Sequence, residues 1–317
     1  MAASGWLVAS PALVEWRCHR RGWRTKETVD VTLAAPQAHK QDPDRRVKHE
    51  SFAQMVKYYL VSIMCSSLEI NLGCPTLSKF LRMIGLIWNI RGLGQSGKVQ
   101  CLCDTIVRSN PDFIGFQETK REIISEGFRK AIDRTNNFDW HYLPAVNTAG
   151  GILLGPRKSL FETIGFVNHE FSIKATVKNI EDGFVWHLVI VYGYAYPEFK
   201  MDFIAELHDI LDSASYPTLI CGDFNLRRNE SEKSSGLVNH HTTFFFNDWV
   251  NRWGLLEISI SNRGYTWSNN QDNPIFAVLD RVFVSVDWDS QFPMSSLTAL
   301  PRIGSDHTPL VLDTWGE

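Results

Sequence analysis

The chain has 317 residues, of which 44% are apolar and 21% charged, a composition typical of globular domains and unlike that of disordered or fibrous chains. Its net charge of −3 gives no sign of a broadly basic nucleic-acid-binding surface, although a cluster of metal-binding carboxylates would also lower the net charge. The six cysteines form no CxxC pair and no zinc-type Cys/His spacing, so we expect free thiols in a reducing compartment, the nucleus or the cytoplasm.

Residues 1–80 show no sustained helical or strand periodicity, and polar clusters such as HKQDPDRRVKHE interrupt them. We expect a poorly ordered extension there, followed by one domain over residues 81–317. The first 24 residues are rich in Ala, Ser and Arg, which leaves organellar targeting as an alternative, although Trp and Pro interrupt any amphipathic helix. The apolar stretch 58–68 is shorter than the roughly 20 residues needed to span a bilayer, so no membrane association is expected.

From residue 83 the pattern changes to strands and helices. MIGLIWNI and DFIGFQET are predicted as buried strands, with a helix over KVQCLCDTIVRS between them that Pro111 closes. GGILLGP, FSIKATVKN and FVWHLVIVYGYA follow as strands, and FKMDFIAELHDILDSA as an amphipathic helix. The strand PTLICG, a helix around TTFFFNDWVNRWG and the strands LDRVFVSV and TPLVLDT complete the order. This mixture predicts two sheets packed face to face with helices outside.

The segment 92–97, GLGQSG, matches the GxGxxG pattern of dinucleotide-binding folds. Glu118 ends the next predicted strand about 20 residues further on, where such folds carry an acidic residue for the ribose. Any strand, tight turn, helix and strand unit also favours glycines in its turn. A dinucleotide site would leave the C-terminal half unexplained, so we favour the purely geometric explanation.

Polar side chains end or follow many of the predicted strands. They are Asn89, Glu118, Tyr192, Asp223, Asn225, Asp280, Asp306 and His307. One such residue alone is commonly a cap or turn residue, but the set brings carboxylates, amides, a phenol and an imidazole to sheet edges. The carboxylates suit Mg²⁺ or Mn²⁺ rather than zinc, and a histidine beside two acids can form an oriented carboxylate–imidazole pair. The set predicts hydrolysis of a phosphate ester by activated water.

Six short motifs occur in order along the chain: WNIRGLG, FQET, VYG, GDFN, LDR and SDHTPL. Together they resemble the endonuclease/exonuclease/phosphatase superfamily, and they are most similar to the endonuclease domain of plant LINE-type (non-LTR) retrotransposons. NDWVNRWGLLEI and YTWSNNQDNPIFAVLDRVFVS are similar to that subgroup between the motifs. The resemblance covers residues 83–315 and implies a DNase I-like, four-layer α/β sandwich of two packed mixed sheets flanked by helices. It places the active site at one mouth of the paired sheets.

The resemblance also implies a metal site. Glu118 corresponds to the principal metal carboxylate, with Asn89 beside it and Asp306 near the metal and the scissile phosphate. The expected cofactor is Mg²⁺, for which Mn²⁺ is an alternative.

The remaining motif residues correspond to groups that act on water and phosphate. His307 contacts the phosphate and is oriented by Asp280, while Tyr192 donates to the phosphate oxygens. Asp223 aligns or deprotonates the attacking water, with Asn225 positioning it. Whether His307 or Asp223 accepts the proton of the water stays open at this point.

The expected activity is that of a Mg²⁺-dependent DNA endonuclease which nicks double-stranded DNA, acts as a monomer and leaves 3′-hydroxyl and 5′-phosphate ends. Arg91 and Ala195 stand where abasic-site repair members usually carry an acid and an asparagine, which favours a retroelement-type nickase. Two alternatives stay open, an inactive retroelement relic and a phosphatase acting on phosphomonoesters or phospholipid head groups.

Arg91, Arg227, Arg228 and the loop at 265–267 are candidate DNA contacts. The competing interpretation of the arginines is solvated surface, whereas Trp267 is expected to pack rather than to stack on a base.

Overall fold

The structure is a computed structural model, which describes residues 82–94, 96–147, 149–236 and 239–316. The expectations for residues 1–80, including an organellar signal, lie outside the described residues. Within the described ranges, no helix combines the length and apolar character that crossing a membrane requires.

The secondary structure confirms the predicted alternation of strands and helices. The strands are β1 (Ile84–Asn89), β2 (Phe113–Gln117), β3 (His141–Leu143), β4 (Ile152–Pro156), β5 (Phe161–Asn168), β6 (Ser172–Asn179), β7 (Val185–Tyr192), β8 (Thr218–Asp223), β9 (Leu256–Glu257), β10 (Trp267–Ser268), β11 (Phe276–Ala277), β12 (Asp280–Val284), β13 (Ser296–Ala299) and β14 (Leu310–Asp313). The α-helices are α1 (Lys98–Ser109), α2 (Glu126–Ile132), α3 (Lys200–Asp212), α4 (His240–Arg252) and α5 (Val286–Gln291), and the 3₁₀ helices are Pro197–Phe199 and Glu230–Glu232.

The strands form two six-stranded sheets and one short hairpin of β10 and β11. The first sheet has the order β13-β14-β1-β2-β4-β3, in which only β1 and β2 are parallel neighbours. The second has the order β5-β6-β7-β8-β12-β9, in which only β7 and β8 are parallel neighbours. In the first sheet β1 lies between the parallel β2 and the antiparallel β14, so the unit containing GLGQSG is not part of a doubly wound dinucleotide-binding sheet.

Three apolar clusters show how the layers stack. The central cluster lies between the sheets and joins residues such as Phe113 and Leu310 of the first sheet to Leu188 and Val282 of the second. A second cluster packs α3 and α4 on the outer face of the second sheet, and a third packs α1 on the outer face of the first. The order of layers is therefore helix, sheet, sheet, helix. The predicted DNase I-like four-layer sandwich is confirmed.

The backbones of the inner strands β7 and β8 approach each other closely near the ends of the two strands. Gly222 has φ of 138°, and a Cβ atom there would lie 2.2 Å from the carbonyl oxygen of Val191 on β7. Only glycine fits both the backbone angle and the contact. Gly222 thus lets β8 lie tightly against β7 immediately before Asp223.

Candidate active site

The site lies where the two parallel strand pairs end. Asn89 is the last residue of β1, and Tyr192 and Asp223, the last residues of β7 and β8, face each other in register. Asp280, the first residue of β12, is opposite Asp223. Because parallel neighbours end at the same edge, polar residues that are distant in sequence come together there.

A cavity of about 470 Å³ opens at this edge. Every predicted site residue lines it except Asp280, which lies behind His307. The structure therefore brings the predicted side chains together at one cavity, and their roles there stay predictions.

Left-handed backbone is concentrated around the cavity. Arg91, Glu118 and Lys120 have φ between 51° and 56°, and among the described residues the other non-glycine positions with positive φ are all asparagines. Asparagine adopts this conformation readily, whereas long side chains do so at a cost of order 1–3 kcal/mol. All three residues line the cavity. The surrounding fold therefore stabilises strained backbone at positions whose side chains surround the site.

Glu118 projects into the cavity from just beyond β2. The hydroxyl of Tyr192 donates to Glu118 Oε1 at 3.0 Å, and Lys120 Nζ lies 3.7 Å from the same oxygen. Burial and the nearby carboxylates raise the pKa of Tyr192, which keeps the phenol protonated as a donor. Tyr192 thereby fixes one carboxylate oxygen of Glu118.

Asp223 is fully buried and accepts several hydrogen bonds. The side-chain amides of Asn89 and Asn225 each donate to Oδ2 at 2.8 Å, and the backbone N–H of Asn225 donates to Oδ1 at 2.9 Å. Burial raises the pKa of Asp223 to about 7, with Asp280 adding to the rise and His307 opposing it. The carboxylate is therefore poised to exchange a proton near neutral pH.

His307 forms the predicted pair with Asp280. Its Nδ1 lies 2.9 Å from Asp280 Oδ2, and its Nε2 lies 3.7 Å from Asp223 Oδ2. Burial alone would lower the pKa of His307, but the two carboxylates outweigh burial and raise it to about 9. The two carboxylates therefore favour the protonated imidazole, and Asp280 holds the ring in one orientation.

Asp306 is held by two donors on a single oxygen. The guanidinium of Arg91 pairs with Oδ2, and the indole N–H of Trp267 donates to the same atom at 2.9 Å. Oδ1 is buried and has no hydrogen-bond partner among the described residues. A buried carboxylate oxygen without a partner is costly, which fits a cation ligand at this position.

The donors at the cavity fit a hard divalent metal. Glu118, Asp306 and the amide oxygen of Asn89 supply the oxygen ligands that Mg²⁺ prefers. Asp223, Asp280 and His307 form a second group whose ligand atoms lie within 4.8 Å of one another, and which could also hold a metal. In that second group Asp280 already engages His307 Nδ1.

A model of the endonuclease/exonuclease/phosphatase family matches residues 86–307, which is more than half of the chain. The chain belongs to this family. Its members are hydrolases that act on phosphoester bonds. No curated protein sequence matches the chain significantly.

Three solved structures share the fold of this chain. The catalytic domain of human Nocturnin is 18% identical over 73% of this chain and 93% of its own, with a TM-score of 0.54. The AP endonuclease LMAP from Leishmania major is 15% identical over 73% and 87%, with a TM-score of 0.58. TDP2 from D. rerio, complexed with single-strand DNA product, is 15% identical over 73% and 98%, with a TM-score of 0.51. At such identities these likenesses establish the fold alone.

Within this family fold, two buried lysines that sequence reasoning missed support the site loops. Lys98 Nζ donates to the carbonyl oxygens of Ile90 and Gly304, and so ties the segment after β1 to the segment before Asp306. Lys200 Nζ donates to the carbonyl oxygens of Tyr194 and Asn225, at 2.5 and 2.9 Å. Helical periodicity alone did not reveal them, because each lies near a helix N-terminus where lysine is commonly solvated.

The candidate DNA-contacting residues separate into different classes. Arg91 and Arg227 line the cavity, whereas Arg228 does not and is neither free nor simply solvated, since its guanidinium binds Glu257 and Asn247. Trp267 was expected mainly to pack, yet its indole lines the cavity and binds Asp306.

Proposed function

We propose that this family member is a Mg²⁺-dependent endonuclease that nicks double-stranded DNA, of the type found in plant LINE-type retrotransposons. The observation that carries the proposal is one cavity that combines hard oxygen donors, an unpartnered Asp306 oxygen and the hydrogen-bonded His307–Asp280 pair. Hydrolysis of a phosphate ester by activated water can use each of these groups.

The proposed metal ligands are Glu118, Asn89 and Asp306, with Tyr192 and Trp267 holding the two carboxylates in place. A bound Mg²⁺ supplies positive charge that offsets the charge developing on the scissile phosphate. Mn²⁺ has the same preference for oxygen ligands and would substitute for it.

Asp223 and His307 divide the proton chemistry between them in this proposal. His307 keeps its proton because carboxylates flank both ring nitrogens, so it serves as a cationic contact for the phosphate. Asp223 is the proton acceptor for the attacking water, since amide donors fix both of its oxygens and its pKa lies close to 7. Asn225 holds Asp223 in this position.

The retrotransposon assignment is supported by the motif residues and by Arg91. Arg91 stands at a position where repair members usually carry an acid, and its guanidinium pairs with Asp306. Compared with an acid at that position, Arg91 offsets the negative charge of Asp306 instead of adding to it. Target choice would then depend on loops around the cavity, among them the β10–β11 hairpin that carries Trp267.

The direct test uses purified full-length protein and supercoiled plasmid, with Mg²⁺ or with EDTA. We expect metal-dependent conversion to nicked circles that is lost in Glu118→Gln and His307→Ala and kept in Glu181→Gln, an exposed acid between β6 and β7. Unchanged nicking in both active-site variants would refute the assignment. Intact plasmid with release of inorganic phosphate from small esters would favour a phosphatase, and a folded, metal-loaded protein inactive in both assays would favour a relic.

A further inference from the structure

The loop after β8 is fixed by an ion-pair network. Arg281, a buried residue of β12, donates to Glu257 Oε1 at 2.5 Å and pairs with Glu232. Arg228 donates through its side chain to Glu257 Oε2 at 2.7 Å and through its backbone N–H to Glu232 Oε2 at 2.6 Å. Both glutamates therefore have two arginine partners, and the loop that carries Arg227 has a defined position.

Arg227 is the arginine that this network leaves out. Its side chain lines the active-site cavity, while its Nε is buried and finds no acceptor among the described residues. Burial lowers the pKa of Arg227, and Glu232, whose charge opposes that effect, is already committed to Arg281 and Arg228. A partly desolvated guanidinium without an anion is costly, so a fold that holds one in a cavity favours an anionic ligand there.

Lys200 adds a second cation to the same cavity. Two of the three N–H groups of its ammonium bind the carbonyl oxygens of Tyr194 and Asn225, which leaves one for a ligand. Burial lowers the pKa of Lys200 to about 8; the charge of Arg227 lowers it further, and that of Asp223 raises it. Lys200 and Arg227 both line this cavity, so both present positive charge to a ligand bound there.

We propose that Arg227, together with Lys200 of the same cavity, forms a second phosphate-binding subsite that takes a backbone phosphate neighbouring the scissile one. The proposal rests on the proposed function and deepens it, because it specifies a substrate with at least two phosphates in a chain. A guanidinium binds phosphate through paired hydrogen bonds. Here the ion-pair network already fixes the loop that carries Arg227, and two carbonyl oxygens already hold the Lys200 ammonium. Small esters with one phosphate cannot use this subsite.

The test compares two substrates in the full-length protein with Mg²⁺. One is a short DNA duplex, and the other is bis(p-nitrophenyl) phosphate, a diester with a single phosphate. In Arg227→Gln we expect the ratio of kcat/KM for the duplex to that for the small diester to fall about tenfold or more. The matched control is Arg252→Gln, which removes the same charge from an exposed residue in the last turn of α4 and should leave the ratio unchanged.

Duplex binding in EDTA supplies a second readout that needs no turnover. The slope of log K against log[salt] should become smaller by about one in Arg227→Gln, because one phosphate contact is lost. Arg227→Lys should restore that slope, since it restores the charge, while recovering only part of the rate ratio.

The failure of each proposal is distinguishable. If wild-type protein cleaves neither substrate, the proposed function is wrong, and the salt slope still tests the subsite. The subsite is refuted if Arg227→Gln lowers kcat/KM equally for both substrates. It is also refuted if the variant changes neither the kcat/KM ratio nor the salt slope. Thermal unfolding of each variant identifies any loss that comes from misfolding, and in that case Arg227→Lys decides.

Discussion

Replacement of Arg281 by methionine should lower the free energy of unfolding more than the loss of a surface ion pair would. The guanidinium is buried, its side chain being 2% exposed, and it contacts Glu232 and Glu257, whose side chains are 14% and 20% exposed. Removing one partner of a buried ion pair costs about 3–5 kcal/mol, because the remaining charge has lost its counter-ion. Glu257 keeps Arg228, so the lower end of that range, about 3 kcal/mol, is expected here.

The contact of Arg281 with Phe246 adds a smaller amount. Its Cζ lies 5.9 Å from the ring centroid, an arrangement worth about 0.5–2 kcal/mol. Since small domains have unfolding free energies of about 5–15 kcal/mol, the total loss would be a large share of the stability. Methionine is chosen because it fills much of the volume without adding a polar atom.

Urea unfolding followed by tryptophan fluorescence and circular dichroism measures this loss. Arg82→Gln is the control, because the Arg82 side chain is 62% exposed and its pair with Asp313 should contribute no more than about 1 kcal/mol. A loss in Arg281→Met below about 1 kcal/mol, or equal to that of the control, would show that the network is not a stabilising counter-ion arrangement. It would also remove the basis for treating the Arg227 loop as fixed.

Three further predictions follow from single contacts. Tyr192→Phe should raise the Mg²⁺ concentration needed for half-maximal nicking about 10- to 100-fold, because Glu118 loses the hydrogen bond that holds it. Titration of the nicking rate with Mg²⁺ measures this change. Gly222→Ala should lower the melting temperature sharply, because its Cβ would collide with Val191. Burial lowers the pKa of His187 from 6.5 to about 4, so the unfolded chain binds its proton first as pH falls. The contribution of His187 to the free energy of unfolding is therefore complete above pH 6.5 and falls by up to about 3 kcal/mol towards pH 4. In His187→Gln the urea midpoint should vary less with pH over that range.

The parts of the fold that the sequence predicts are those with strong apolar patterns. The strands β1, β2, β7 and β8 are buried almost throughout, so continuous apolar runs mark them. The site residues that end these strands are predictable for the same reason, because an abrupt polar residue marks each end. The edge strand β5 was not predicted: its burial varies, and Phe166 and Val167 are half exposed.

The connections within the site depend on contacts between distant segments. No local pattern places the Trp267 indole on Asp306 or the Lys98 ammonium on Gly304, because each contact depends on how the sheets and loops pack. Left-handed backbone at Glu118 contradicts the local preference of glutamate and is stabilised only by its surroundings. Arg228 reads in sequence as a surface cation, and only the position of Glu257 shows that it is a structural one.

The pairing of β1 with β14 has a consequence for how this domain can be joined to other proteins. Ile84 and Asp313 lie opposite each other in that pair, whereas Asn89 and His307 are at the other end. The start of β1 and the end of β14 therefore lie side by side, at the end of the sheet remote from the cavity. A fusion partner attached beyond either strand should therefore lie away from the cavity, and a short linker that joins these two strand ends should permit circular permutants that open the chain in a surface loop.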